Sequence, residues 1–65
     1  MIEEAEPYLK SSGRKKADVA KQIGISRQLL DYYLNNSHLY VYHEDGELLE
    51  AWLEPPVNVI WRKRQ

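Results

Sequence analysis

The chain has no cysteine and only two histidines in 65 residues. A disulfide framework is excluded, and two lone histidines cannot build a structural zinc site. A chain this short buries a smaller share of its surface than a larger one, so it usually leans on a staple or a partner. Dense packing or oligomerisation must then supply the stability, and 43% hydrophobic residues provide material for either. No apolar run approaches the ~18 residues of a membrane span, and no signal peptide is visible. There is no glycine-rich phosphate loop, and the length is small for an enzyme with a walled pocket. These absences predict one soluble, non-enzymatic domain over residues 1–65 in a reducing cytosol. No cofactor, metal, membrane or small-molecule ligand is expected.

Charge of one sign is also lacking, but only on average. Nine basic and ten acidic residues leave a net charge of −1. They are segregated. Residues 9–34 carry six basic and two acidic residues, residues 35–61 carry five acidic and no basic ones, and Arg62, Lys63 and Arg64 close the chain. A neutral mean built from separate blocks is compatible with solvated faces, or with a basic phosphate-facing surface kept apart from an acidic remainder.

Ile2, Ala5 and Leu9 have the spacing of a short amphipathic helix. Pro7 places its start near Glu6 or falls within its first turn, and Gly13 suits its left-handed cap. Val19, Ala20 and Ile23 form the stripe of a second helix over residues 15–23, which Gly24 stops. Ser26 is a suitable N-cap for a third helix over residues 27–35, with Leu30, Tyr33 and Leu34 on one face. The period then changes to two. Leu39–Tyr42 reads as a strand, Asp45-Gly46 as a two-residue hairpin turn, and residues 47–53 as the return strand. That register opposes Tyr42 to Leu49, Tyr40 to Ala51 and Leu39 to Trp52. Both hairpin faces are then largely apolar, and the one not covered by helices calls for a second subunit. Pro55-Pro56 ends the strand and starts an extended apolar arm containing Val57 and Val59. The expected architecture is α+β: three short helices, then an antiparallel hairpin and an arm.

The informative constellation is residues 16–35. A small residue at Ala20 permits close crossing of two helices. Gly24 takes a turn conformation that a Cβ resists. Ile23, Ile25, Leu30 and Tyr33 or Leu34 fill the wedge between the helices. This is helix-turn-helix spacing, in which the second helix of the motif enters the major groove of DNA. Its outward residues are Ser26, Arg27, Gln28, Asp31, Tyr32 and Asn35. Gln28 suits a bidentate contact to adenine, and Arg27 suits guanine or a phosphate. Asp31 suits cytosine N4, or orients Arg27 or Lys15. Tyr32 suits a thymine methyl or a phosphate, or packs on the hairpin. Arg14, Lys15, Lys16, Lys21 and Asn35 are candidate phosphate contacts.

With Ala20, Gly24-Ile25, Leu30 and Leu34, then a short strand, Asp45-Gly46, a second strand and Pro55, the chain resembles the lambda-type Cro repressors of lambdoid bacteriophages. The resemblance implies a dimeric, cytoplasmic transcriptional repressor that binds a pseudo-palindromic operator in the bacterial nucleoid. It implies base contacts from Ser26, Arg27, Gln28, Asp31 and Tyr32, and phosphate contacts from Arg62, Lys63 and Arg64. It assigns the dimer interface to Ala51, Trp52, Leu53 and Glu54, whose strand pairs with its twofold mate, and to Val57 and Val59 of the arm. Two rival readings remain. One is a protein-interaction module using the acidic, aromatic hairpin. The other is an excisionase-like architectural factor with residues 44–47 as a wing, although an acidic tip suits a DNA groove poorly.

Overall fold

The computed structural model describes residues 1–64. The chain runs β1 (Ile2–Glu4), α1 (Ala5–Ser12), α2 (Lys16–Ile23), α3 (Arg27–Asn36), β2 (His38–Glu44), β3 (Glu47–Glu54) and β4 (Asn58–Arg62). The class is α+β, as expected, with one antiparallel sheet in the order β1-β2-β3-β4. The sheet is twice as wide as the expected hairpin, because a strand is added at each side.

The first addition replaces the start of the expected first helix. Residues 2–4 pair with β2, Ile2 opposite Tyr42, Glu3 opposite Val41 and Glu4 opposite Tyr40. A strand edge offers these residues backbone partners that an isolated terminal turn lacks. Helix α1 therefore begins at Ala5, and Pro7 lies within its first turn, where no intrahelical N–H is needed. Its buried face is Ala5 and Tyr8, and Ile2 is left 64% exposed on the strand. Gly13 ends the helix with φ +72°.

The hairpin turn is the one expected. Asp45 and Gly46 both have positive φ, +53° and +81°, as a two-residue turn matched to strand twist requires. Glu44 opposes Glu47 and His43 opposes Leu48, but Tyr42 then opposes Glu50. Leu49 is an extra residue, and this bulge shifts every later pair by one. The expected Tyr42–Leu49, Tyr40–Ala51 and Leu39–Trp52 pairs become Tyr42–Glu50, Val41–Ala51, Tyr40–Trp52 and Leu39–Leu53. A one-residue shift exchanges the faces of a strand. Leu39, Val41, Leu48 and Ala51 now lie together in the core, each at most 4% exposed. The other face carries Tyr40, Tyr42, Glu50 and Trp52. It is aromatic and acidic rather than a second apolar face.

The second addition replaces the expected arm. Residues 55–57 form a turn containing a cis Pro55–Pro56 bond, and the chain returns as β4. Glu50 opposes Arg62, Ala51 opposes Trp61, Trp52 opposes Val59 and Leu53 opposes Asn58. This corrects the expected pairing of Ala51–Glu54 with a twofold mate. A strand has two hydrogen-bonding edges, and those of β3 are taken by β2 and β4. Val57 and Val59, placed on a free arm by the sequence reading, lie in the turn and in β4, at 69% and 44% exposure.

The helices cover one face of the sheet. Tyr8, Val19, Ala20, Ile23 and Leu30 meet the core side of β2 and β3, with Leu9, Ile25, Tyr33, Leu34, Leu53, Ile60 and Trp61 packed around them. His43 also faces inward. Its ring centroid is 4.6 Å from that of Tyr8, and its Nε2 is 3.5 Å from a Glu3 carboxylate oxygen.

Candidate nucleic-acid interface

Helices α2 and α3 form the expected helix-turn-helix. Gly24 takes φ +79° and donates to the Lys21 carbonyl, while the Ile25 N–H reaches the Ala20 carbonyl at 3.0 Å. No heavy atom lies within 4 Å of a Cβ built on Gly24. Backbone conformation, and not space, is therefore what selects glycine there. The Ser26 side chain accepts from the Leu29 N–H at 3.0 Å and caps α3. Val19, Ala20, Ile23 and Leu30 are buried in the seam.

The core side of α3 is set by Leu30, Tyr33 and Leu34. Gln28, Tyr32 and Asn35, spaced i, i+4 and i+7, run along its opposite face, flanked by Arg27 and Asp31. Arg27, Gln28, Tyr32 and Asn35 are exposed, and their side chains make no hydrogen bond or ion pair among the described residues. Tyr32 is 57% exposed, which sets aside the alternative that it packs on the hairpin. Leu29, at 36% exposure, also borders this face. The sequence reading omitted it, although its place outside the Leu30–Tyr33–Leu34 stripe was visible in the spacing.

Asp31 does not stand free. Its carboxylate lies 3.0 Å from the Lys16 ammonium, bridging α3 to α2. The expected helper role thus falls on Lys16 rather than on Arg27 or Lys15. Lys16 in turn is occupied.

The other basic candidates divide in the same way. Arg14 donates to the Gln22 side-chain oxygen at 2.6 Å and lies 3.4 Å from the Tyr8 hydroxyl, tying α1 to α2. Arg62 donates to Glu50 at 2.8 and 3.1 Å, and Lys63 pairs with Glu47. Lys15, Lys21, Arg27 and Arg64 make no ion pair among the described residues. The phosphate candidates therefore form two sets, one uncommitted and one held by intramolecular partners.

No family model, no curated protein and no solved structure matches the chain. Functional inference rests on the geometry. Among the described residues no group of three His, Cys, Asp or Glu side chains is placed to hold a metal ion. No helix is long and apolar enough to cross a membrane.

Proposed function

We propose that the protein is a sequence-specific DNA-binding repressor of the Cro type, with α3 in the major groove. One observation carries the reading. The second helix of a helix-turn-helix presents Arg27, Gln28, Tyr32 and Asn35 exposed and, among the described residues, without side-chain hydrogen bonds or ion pairs. Ionic and amide groups left unpaired on one helix face suit the donor and acceptor pattern of base edges. Ser26 stands at the leading end of the helix, and Asp31 acts chiefly by holding Lys16. Lys15, Lys21 and Asn35 flank the helix as backbone contacts.

The operator is a pseudo-palindrome read by two copies, one per half-site about one helical turn apart. With the β3 edge occupied, the two copies do not meet by pairing Ala51–Glu54. Binding-site selection from random duplexes, followed by gel retention at increasing salt, tests the proposal. The expected product is an inverted repeat, retained with an affinity that falls steeply as salt rises. Gln28→Ala should relax preference at one base position by about 1–3 kcal/mol, whereas Lys21→Ala should weaken all sequences alike. Equal losses on every sequence from Gln28→Ala would remove its reading role, and no retention at low salt would remove the DNA-binding function.

A further inference from the structure

We propose that the outer face of the sheet is a second binding surface, whose partner is a cationic segment of another protein carrying apolar side chains. All three helices pack on the other face, so among the described residues no element covers this one. Its centre is a cross-strand row in which Glu4, Tyr40, Trp52 and Val59 stand side by side on β1 to β4. The rings of Tyr40 and Trp52 stack with centroids 6.1 Å apart and planes 18° from parallel. Val59 and Ile2 leave 44% and 64% of their surface exposed at either side.

Acidic side chains hold this aromatic strip in place. Glu54 accepts from the Trp52 indole N–H at 2.7 Å, and Glu44 accepts from the Tyr42 hydroxyl at 2.5 Å. Glu50 takes both Arg62 contacts. Glu4, Glu44, Glu47, Glu50 and Glu54 against Arg62, Lys63 and Arg64 leave this face with a formal charge of −2, five acidic groups against three basic ones gathered at its β4 edge.

That charge selects among occupants. A polyanion such as DNA is disfavoured, and a second copy would set −2 against −2. A segment with Arg or Lys interleaved with apolar residues meets both features, because guanidinium groups stack on Trp and Tyr while neutralising the carboxylates. The surface lies across the core from α3. Its occupation is therefore compatible with DNA binding, and the inference does not depend on that reading.

The test uses the full chain labelled with 15N and an acetylated, amidated peptide of about ten residues alternating Arg and Leu, with a Glu–Leu peptide as comparison. The expected result is saturable shifting of the Trp52 indole signal and of the Tyr40 and Tyr42 amides, with α3 amides unmoved. The Glu–Leu peptide should leave all of them in place. Glu4→Lys, at an exposed position, and Glu54→Lys should together weaken Arg–Leu binding at least tenfold while preserving the spectrum of the folded chain. Shifts located elsewhere, or equal affinity in the charge-reversed variant, would overturn the proposal. So would concentration-dependent sedimentation of the free chain accompanied by the same signal changes, because a second copy would then be the occupant.

Discussion

The outward face of α3 and the outer face of the sheet are both exposed and rich in polar and aromatic groups, but their hydrogen-bonding capacity is used differently. On α3, the side chains of Arg27, Gln28, Tyr32 and Asn35 are left, among the described residues, without hydrogen-bond or ion-pair partners. On the sheet, Tyr42, Trp52, Arg62 and His38 each lie against a carboxylate of the same face. A surface with open donors and acceptors is suited to read a ligand that supplies the complement. A surface whose polar groups already satisfy one another offers shape, aromatic area and net charge instead. The first can discriminate between similar ligands, and the second recognises a class.

Both faces depend on one core, which gives the largest expected effect. Leu30 and Leu48, at 1% and 0% exposure, anchor α3 and the sheet respectively. Leu30→Ala and Leu48→Ala should each cost about 2–5 kcal/mol, enough to remove much or all of the stability of so small a domain. Urea titrations followed by Trp fluorescence and by far-ultraviolet dichroism should coincide in both variants. Separate transitions for helices and sheet would show that the two faces stand on independent units.

Smaller perturbations address one face at a time. Gly24→Ala forces a Cβ into left-handed backbone at the helix-turn-helix corner, at an expected cost of about 1–2 kcal/mol. Amide shifts should be confined to α2 and α3, with the Tyr40–Trp52 pair unaffected, as heteronuclear NMR would show. Asp31→Asn should lower stability by less than about 1 kcal/mol, since the ion pair is about half exposed. It should also raise affinity for all DNA sequences severalfold, by freeing Lys16 and removing a negative charge. Loss of preference at a single base position in a binding assay would instead make Asp31 a reader of cytosine.

The least effect is a titration. The Tyr42 hydroxyl is held above the ordinary value near 10, first by its hydrogen bond to Glu44, then by desolvation and by the charge of that carboxylate. A raised value in the folded chain means that the associated stabilisation is present below pH 10 and is lost as pH rises through the folded value. In an ultraviolet titration Glu44→Gln should bring Tyr42 down toward its ordinary value. An unchanged curve would mean that the carboxylate does not hold the ring.

The same comparison shows what was legible beforehand. The helix-turn-helix could be read because its determinants are local: Gly24 at the corner, Ser26 at the cap, and apolar residues at helical spacing within 20 positions. The Asp45-Gly46 turn was legible for the same reason. The sheet was not, beyond its hairpin. Nothing in Leu48-Leu49-Glu50 announces which residue bulges out, and a single extra residue reassigns every later side chain of β3 to the other face. The pairing of Ile2–Glu4 with Tyr40–Tyr42 joins segments almost 40 residues apart, and the helical spacing of Ile2, Ala5 and Leu9 competed with it. At the site, spacing identified the outward residues of α3, but charge counting could not separate free cations from held ones. Lys16, Arg14, Arg62 and Lys63 each have a partner on a different element, visible only after folding.

The return of the chain as β4 bears on how the protein behaves in concentrated solution. β4 is one of the two edge strands, joined to the sheet along a single edge, so it is expected to fray ahead of β2 and β3. Each such opening uncovers the Glu50–Leu53 edge of β3, a largely apolar stretch of the kind that templates strand addition between molecules. The onset of aggregation should therefore follow the fraying rate of a five-residue strand rather than global unfolding. The β3 amides that hydrogen-bond to β4 should exchange with solvent at that same rate.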